Sequence, residues 1–357
     1  MTNLARARLL SILALTVAAC GGAVSPTAVP ATGSGASPAT SPGASAAAAS
    51  AAASPAGTPR ATPVPVATGA PLGDELVATI KVSNAPCALA TDGTSAYVTS
   101  NSSGAIDKVD PATDQVVGHA IIGVGPCGIA LGSDGRMWIA DLGKSAVLAV
   151  DPATLKVTAT IEGLGNALWD LKAGFGSVWV ADRTNKVLLR IDPAKAKVVA
   201  SIPIGPRAAG LAVMKDGVWV ADEVDYQLRR IDPATNKVAA MIKGAGAPTW
   251  FSDDGNTTLL IGERGLSKVA IVDVTAGALV HETTGWNEPL DGTVFAGKAW
   301  VPDGSGKRLG VIDLANPDAP PVRYALPDAT NPFVAEPAFG DVWVLDYSGT
   351  TVWRIKP

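Results

Sequence analysis

The chain has 357 residues, 38 Gly and 27 Pro, with 17% charged residues and a formal net charge of −4. That length holds one large domain or two ordinary ones. The mildly acidic balance excludes a nucleic-acid partner gripped by a broad basic face.

Residues 1–19 read as an export signal: Arg6 and Arg8 supply a positive n-region, and Leu9–Ala18 is an apolar run too short to span a bilayer stably. The run leads into "VAAC" (Val17–Cys20), which resembles the bacterial lipobox, where a signal peptidase cuts before a cysteine that then carries lipid. The resemblance implies lipidation at Cys20 and an extracytoplasmic protein held to the bacterial membrane through its lipid anchor alone. The alternative is a simple secretion signal cut near the alanines. Residues 20–73 then form the lipidated cysteine and a linker of Ala, Ser, Pro, Thr and Gly, with no aromatic residue and a single charge, Arg60. So little bulky apolar surface cannot offset the entropy of ordering the segment. It is expected to act as a disordered tether, on the order of 40 Å end to end as a coil.

From residue 74 to 357 the chain keeps one period. An Asp recurs at Asp110, Asp151, Asp192, Asp232, Asp273 and Asp313, every 40 or 41 residues. A second marker keeps the same beat: Tyr97, Trp138, Trp179, Trp219, Leu260, Trp300 and Trp343. Each copy holds four short runs rich in Val, Ile and Trp, separated by turn residues. Four strands per forty residues make one propeller blade. The repeated "DPA" suits a type I turn between the third and fourth strands, with the Asp bonding the turn's own backbone and Pro presetting φ. Runs such as "VWVAD" are apolar at consecutive positions, as strands covered on both faces are. The recurring Trp is therefore read as packing between blades.

Seven inner strands are expected, starting near Cys87, Cys127, Trp169, Ala209, Thr249, Leu290 and Phe333. The last copy stops after its third strand, and "LVATIKV" (Leu76–Val82) matches the missing outer one. The fold class is thus all-β, a seven-bladed β-propeller of four-stranded blades closed by an N-terminal strand completing the last blade. The repeat "AYVTSNSSGAIDKVDPAT" (Ala96–Thr113) resembles the YVTN-type propeller repeat, and "GSVWVADRTNKVLLRIDP" resembles streptogramin-lyase-like (virginiamycin B lyase-like) and NHL-like propellers of exported bacterial proteins. The lyase resemblance implies a His base, a Glu and a divalent metal. Here the only histidines, His119 and His281, fall in fourth strands, so none of that family's catalytic residues carries over.

Two departures mark a candidate site on the face made by the fourth-to-first and second-to-third strand loops. The residue closing the second strand is Asn101, Asp141, Asp182, Asp222, Glu263, Asp303 or Asp346. This acidic ring either caps loops by accepting backbone N–H groups or holds a divalent cation or a cationic ligand. Arg183, Lys144, Arg264, Lys268, Lys307 and Arg308 lie in the same loops and would neutralise much of it. Second, Asp170 and Asp291 replace a small residue beside the axis, three blades apart, and are the candidates for acid–base catalysis. Trp169, Arg207, Trp250, Trp286, Asn287, Glu288 and Phe333 join them in a ligand-binding mouth of aromatics and carboxylates. The alternative is a polar channel lining solvated by water.

Cys87 and Cys127 occupy equivalent places in adjacent blades, so an inter-blade disulfide is one reading; two buried thiols or a redox pair are the others. No cofactor is expected beyond that cation. The expected role is non-catalytic binding of an envelope small molecule, glycan or protein by a monomer. The runner-up is a lyase or hydrolase acting at the mouth, and a third reading is a display module without a ligand.

Overall fold

The computed structural model describes residues 69–244 and 248–357. The expected signal peptide, the lipidated Cys20 and most of the linker lie outside the described residues. Among the described residues, seven antiparallel four-stranded sheets account for the repeat. Blades 1 to 7 begin with inner strands Pro86–Thr91, Pro126–Leu131, Leu168–Gly174, Ala208–Met214, Trp250–Asp253, Thr293–Phe295 and Pro332–Ala338. Each inner strand contacts those of both neighbouring blades, all the way round the axis.

The ring closes as the sequence implies. Leu76–Lys81 pairs antiparallel with Thr351–Ile355 and completes blade 7 as its outer strand. Ala70–Pro71 adds a short parallel strand to the outer edge of blade 6, at Tyr324 and Ala325, which the sequence pattern did not suggest.

The buried apolar residues fall into seven clusters, one at each junction between blades. Tyr97 belongs to the junction of blades 1 and 2, Trp138 to 2 and 3, Trp179 to 3 and 4, and Trp219 to 4 and 5. Leu260, Trp300 and Trp343 fill the same place at the remaining three. All seven markers are at most 2% exposed. The marker is the side chain that each blade offers to the next.

The "DPA" turn has two jobs. Its Asp accepts backbone N–H groups of its own turn, as Asp232 does from Ala234 and Asp151 from Thr154. Those backbone N–H groups hold the Asp232 and Asp151 carboxyls below the usual range. The proline carbonyl, in turn, accepts from a cation on the preceding blade. Arg354 donates to the Pro111 carbonyl, Lys108 to Pro152, Arg136 to Pro193 and Arg190 to Pro233. Each of these cations also lies over the marker ring of its own blade, 5.0–5.6 Å from the centroid. Asp273 and Asp313 are followed by Val274 and Leu314, and blades 5 and 6 lack this link.

One inner strand departs from expectation. In blade 6 it starts at Thr293 rather than near Leu290. The reason is that Asp291 gives its backbone to blade 7. Its N–H donates to the Phe333 carbonyl at 3.1 Å, and its carbonyl accepts from Ala335 at 2.8 Å. These groups are therefore unavailable to its own sheet.

Trp179→Ala should cost about 3–5 kcal/mol, the usual loss for truncating a buried aromatic. Urea unfolding measures it, and a cost below about 1 kcal/mol would show that the marker does not hold the blades together.

Candidate functional site

The carboxylates of the acidic ring are turned to the backbone of their own loops. Asp141 accepts from the backbone N–H groups of Val124, Gly125 and Lys144. Asp182 takes Gly165 and Asn185, Asp303 takes Asn287 and Glu288, and Asp346 takes Thr330 and Asn331. Asp222 accepts from Val224 and Asp225, with the Arg229 guanidinium at 3.2 Å. These carboxylates are 0–1% exposed, and their oxygens point into the loops. A Cβ on Gly205 would overlap the Asp222 carboxylate, which is why the loop carries glycine there.

Of the two readings of the ring, Asp141, Asp182, Asp222, Asp303 and Asp346 follow loop capping rather than cation binding. No cluster of three or more potential ligands that could hold a metal occurs among the described residues. Glu263 stands apart: among the described residues neither of its oxygens has a hydrogen-bond partner, and burial pushes its carboxyl up. The residues that would correspond to the donors of the other blades include 246 and 247, outside the described residues. Of the cations expected to neutralise the ring, Arg308 does bond Asp303. Arg183 instead pairs with Glu223 of the next blade at 3.0 Å, and Lys268 with Glu282.

At the axis the structure brings together Trp169, Trp250 and Phe333. Trp250 meets Trp169 edge-on at 6.1 Å and Phe333 edge-on at 5.2 Å; Tyr347 extends the row at 5.0 Å from Phe333. These rings border two depressions. One, of about 230 Å³, is lined by Glu288, Asn331, Tyr347 and the Cys87–Cys127 pair among others. The other, of about 460 Å³, is lined by Trp169, Arg183, Arg207, Glu223, Thr249 and Trp250, with Gly265. Cys87 and Cys127 form a disulfide between the inner strands of blades 1 and 2, their α-carbons 5.0 Å apart.

Two of the expected mouth residues lie elsewhere or act otherwise. Trp286 is 2% exposed and packs at the junction of blades 5 and 6, its indole N–H donating to Thr283 Oγ1 and Arg323 lying over its ring. Its flat apolar area finds cover there that the wet mouth does not offer. Asn287 is exposed and gives its backbone N–H to Asp303.

Bordering the aromatic row is a small pocket of about 30 Å³, large enough for water. Asp170, Asp291, Lys172 and Glu336 are among its lining residues. Asp170 accepts from its neighbour Leu171 N–H and from Leu211 N–H of blade 4, both at 2.8 Å, so both its oxygens fasten inner strands. Lys172 and Glu336 pair across the axis at 3.4 Å. Burial pushes the Asp170 carboxyl up and the Asp291 carboxyl well up, against the pull of Lys172. Asp253, farther along its inner strand, is pushed up to about 6, again chiefly by burial. Glu336 first, with the other carboxylates, holds the Lys172 ammonium well above its usual value.

Sequence reading found Asp170 and Asp291 but missed Lys172, Glu336 and Asp253. A signal existed for the pair: Lys172 and Glu336 sit opposite the marker tryptophans Trp179 and Trp343 in register. At that level most other blades carry Ala or Ser.

Asp253 carries the clearest pH consequence. Its folded value lies above the ordinary 3.8, so the folded state holds the proton more tightly than the unfolded state does. Its contribution is fully present below pH 4 and is lost as pH rises through 6. Asp253→Asn should leave the thermal midpoint unchanged at pH 4 and raise it at pH 7.5, by at most about 3 kcal/mol of stability. Equal midpoint differences at the two pH values would refute this.

No family model and no curated protein matches the chain. Among solved structures it is similar to virginiamycin B lyase from Staphylococcus aureus, with a TM-score of 0.68 at 13% identity, over 78% of this chain and 98% of that one. A streptogramin B lyase gives 0.66 at 15% identity, over 78% and 96%. The WD40 propeller domain of Doa1 gives 0.66 at 13% identity, over 79% and 96%. At these identities the likeness establishes the propeller fold alone.

Proposed function

We propose that this chain is a lipid-anchored, extracytoplasmic propeller that binds a small molecule, a glycan or a protein partner at its axial mouth without chemical turnover. The observation that carries the reading is the row Trp169–Trp250–Phe333–Tyr347, which edges two adjoining depressions on one face of the ring. A concave site with aromatic walls and a few charged groups is the common form of a ligand pocket. The anchor at Cys20 and the tether of residues 20–73 would hold that mouth away from the membrane, with the chain acting as a monomer and needing no cofactor.

A second reading is a lyase or hydrolase of streptogramin-lyase-like type. One observation favours it: Asp291 borders the small pocket beside the aromatic row with its carboxyl well above the usual range, as a general acid requires. Against it, both oxygens of Asp170 accept backbone N–H groups, and His119 and His281 lie in outer strands.

A thermal-shift panel on the full chain with cell-wall sugars, streptogramins, quinones and divalent metals tests both readings. A ligand at a hundred times its dissociation constant adds about 2.7 kcal/mol. The binding reading expects a shift that disappears in Trp250→Ala, with the ligand recovered intact. Conversion of a streptogramin that stops in Asp291→Asn would establish the enzyme instead, and no shift with any compound would leave the mouth without a small-molecule role.

A further inference from the structure

The larger depression has a charge character that the chain as a whole does not. Arg183 follows the second strand of blade 3, Arg207 precedes the inner strand of blade 4, and Glu223 follows the second strand of blade 4. Both guanidiniums converge on one oxygen, Glu223 Oε2, at 3.0 and 3.2 Å. Two positive groups share one negative partner, so this wall keeps a net positive charge on a chain whose net charge is −4. Arg207 is 59% exposed while Arg183 and Glu223 are 19% and 12% exposed, which makes Arg207 the outer, accessible member. On the other side stand Trp169 and Trp250, whose rings are set at 74° to each other. The volume of about 460 Å³ falls within the range of small-molecule sites.

The chemistry that fits both walls is narrow. A guanidinium is a planar fork of donors that matches a carboxylate, and it stays charged at every relevant pH. An indole face takes a flat ring, whether an aromatic ring or the C–H face of a sugar. A neutral sugar would leave the guanidiniums without an added partner, and a simple anion would leave the indoles uncovered.

We infer that the depression between blades 3, 4 and 5 binds a ring compound bearing a carboxylate, with the carboxylate on Arg207 and Arg183 and the ring against Trp169 or Trp250. This rests on the binding reading above and specifies the ligand for it. Glu223 serves as a positioning residue, holding the two guanidiniums side by side.

The test is a tryptophan-fluorescence titration of the full chain with trigalacturonate and with its methyl ester, which is the same glycan without charge. 2-Naphthoate and 2-naphthamide form the aromatic pair. At least one acid should bind ten-fold or more tightly than its neutral partner and weaken as salt rises. Arg207→Gln should remove that ten-fold preference, and its exposed position should leave the thermal midpoint unchanged. Preference for trigalacturonate identifies an acidic glycan as the source of the carboxylate, and preference for 2-naphthoate an aromatic acid. Acid and neutral partner binding equally, with loss in Trp250→Ala, would overturn the anion inference while leaving the mouth as a binding site. Tight binding of an acid that Arg207→Gln does not alter would also overturn it. Binding of none of the four would overturn it together with the mouth as a site for ring compounds.

Discussion

A single blade of this protein has two apolar faces and no core of its own. Strands such as Ser177–Asp182 and Gly217–Asp222 are buried at every position, which is attainable only when another sheet lies on each side. Everything else depends on that constraint. It requires the stack of blades to have no end, hence the closed ring, and it requires the last blade to be finished by the strand Leu76–Lys81 from the other end of the repeat array. An open stack would leave one fully apolar face in water and a raw strand edge beside it.

The same constraint accounts for the period of the sequence. Each junction needs a large side chain to fill it and a polar contact to fix the offset between sheets. At four junctions one arrangement does both: an aromatic residue, a cation lying over it, and the next blade's turn proline accepting from that cation. Proline is useful there because its ring presets φ for the turn that presents the carbonyl. The two turns that lack proline, after Asp273 and Asp313, belong to the blades where the inner strands are shortest. The regular and irregular halves of the ring thus differ in how neighbours are fastened as well as in sequence.

The architecture was legible because it is written many times over. Blade number and strand order follow from a pattern sampled at every repeat, the "DPA" turn from four copies of it, and closure from the one strand the last copy lacks. The site was less legible, because it consists of what differs between repeats, and each difference occurs once. Asp170 and Asp291 stood out as carboxylates in place of small residues. Their surroundings did not, since Lys172 and Glu336 are 164 residues apart and meet only when the ring closes. Trp286 looked like a mouth residue by its loop position, yet its ring turns inward between the blades. The position after the ring carboxylate would have been a better guide. Leu142 and Tyr347 there line the smaller depression, and Arg183 and Glu223 the larger. The ring residues left two readings open because an acidic side chain that caps a loop and one that holds a cation look the same in one dimension.

The pair of Lys172 and Glu336 has a consequence for the geometry of exchange. A propeller axis is often pictured as a bore, open at both ends. Here an ammonium and a carboxylate from blades 3 and 7 meet in the middle of it, beside a pocket of about 30 Å³. The axis is consequently narrowed and charged at that level: anything passing along it would have to part an ion pair whose two side chains are each still 26% exposed.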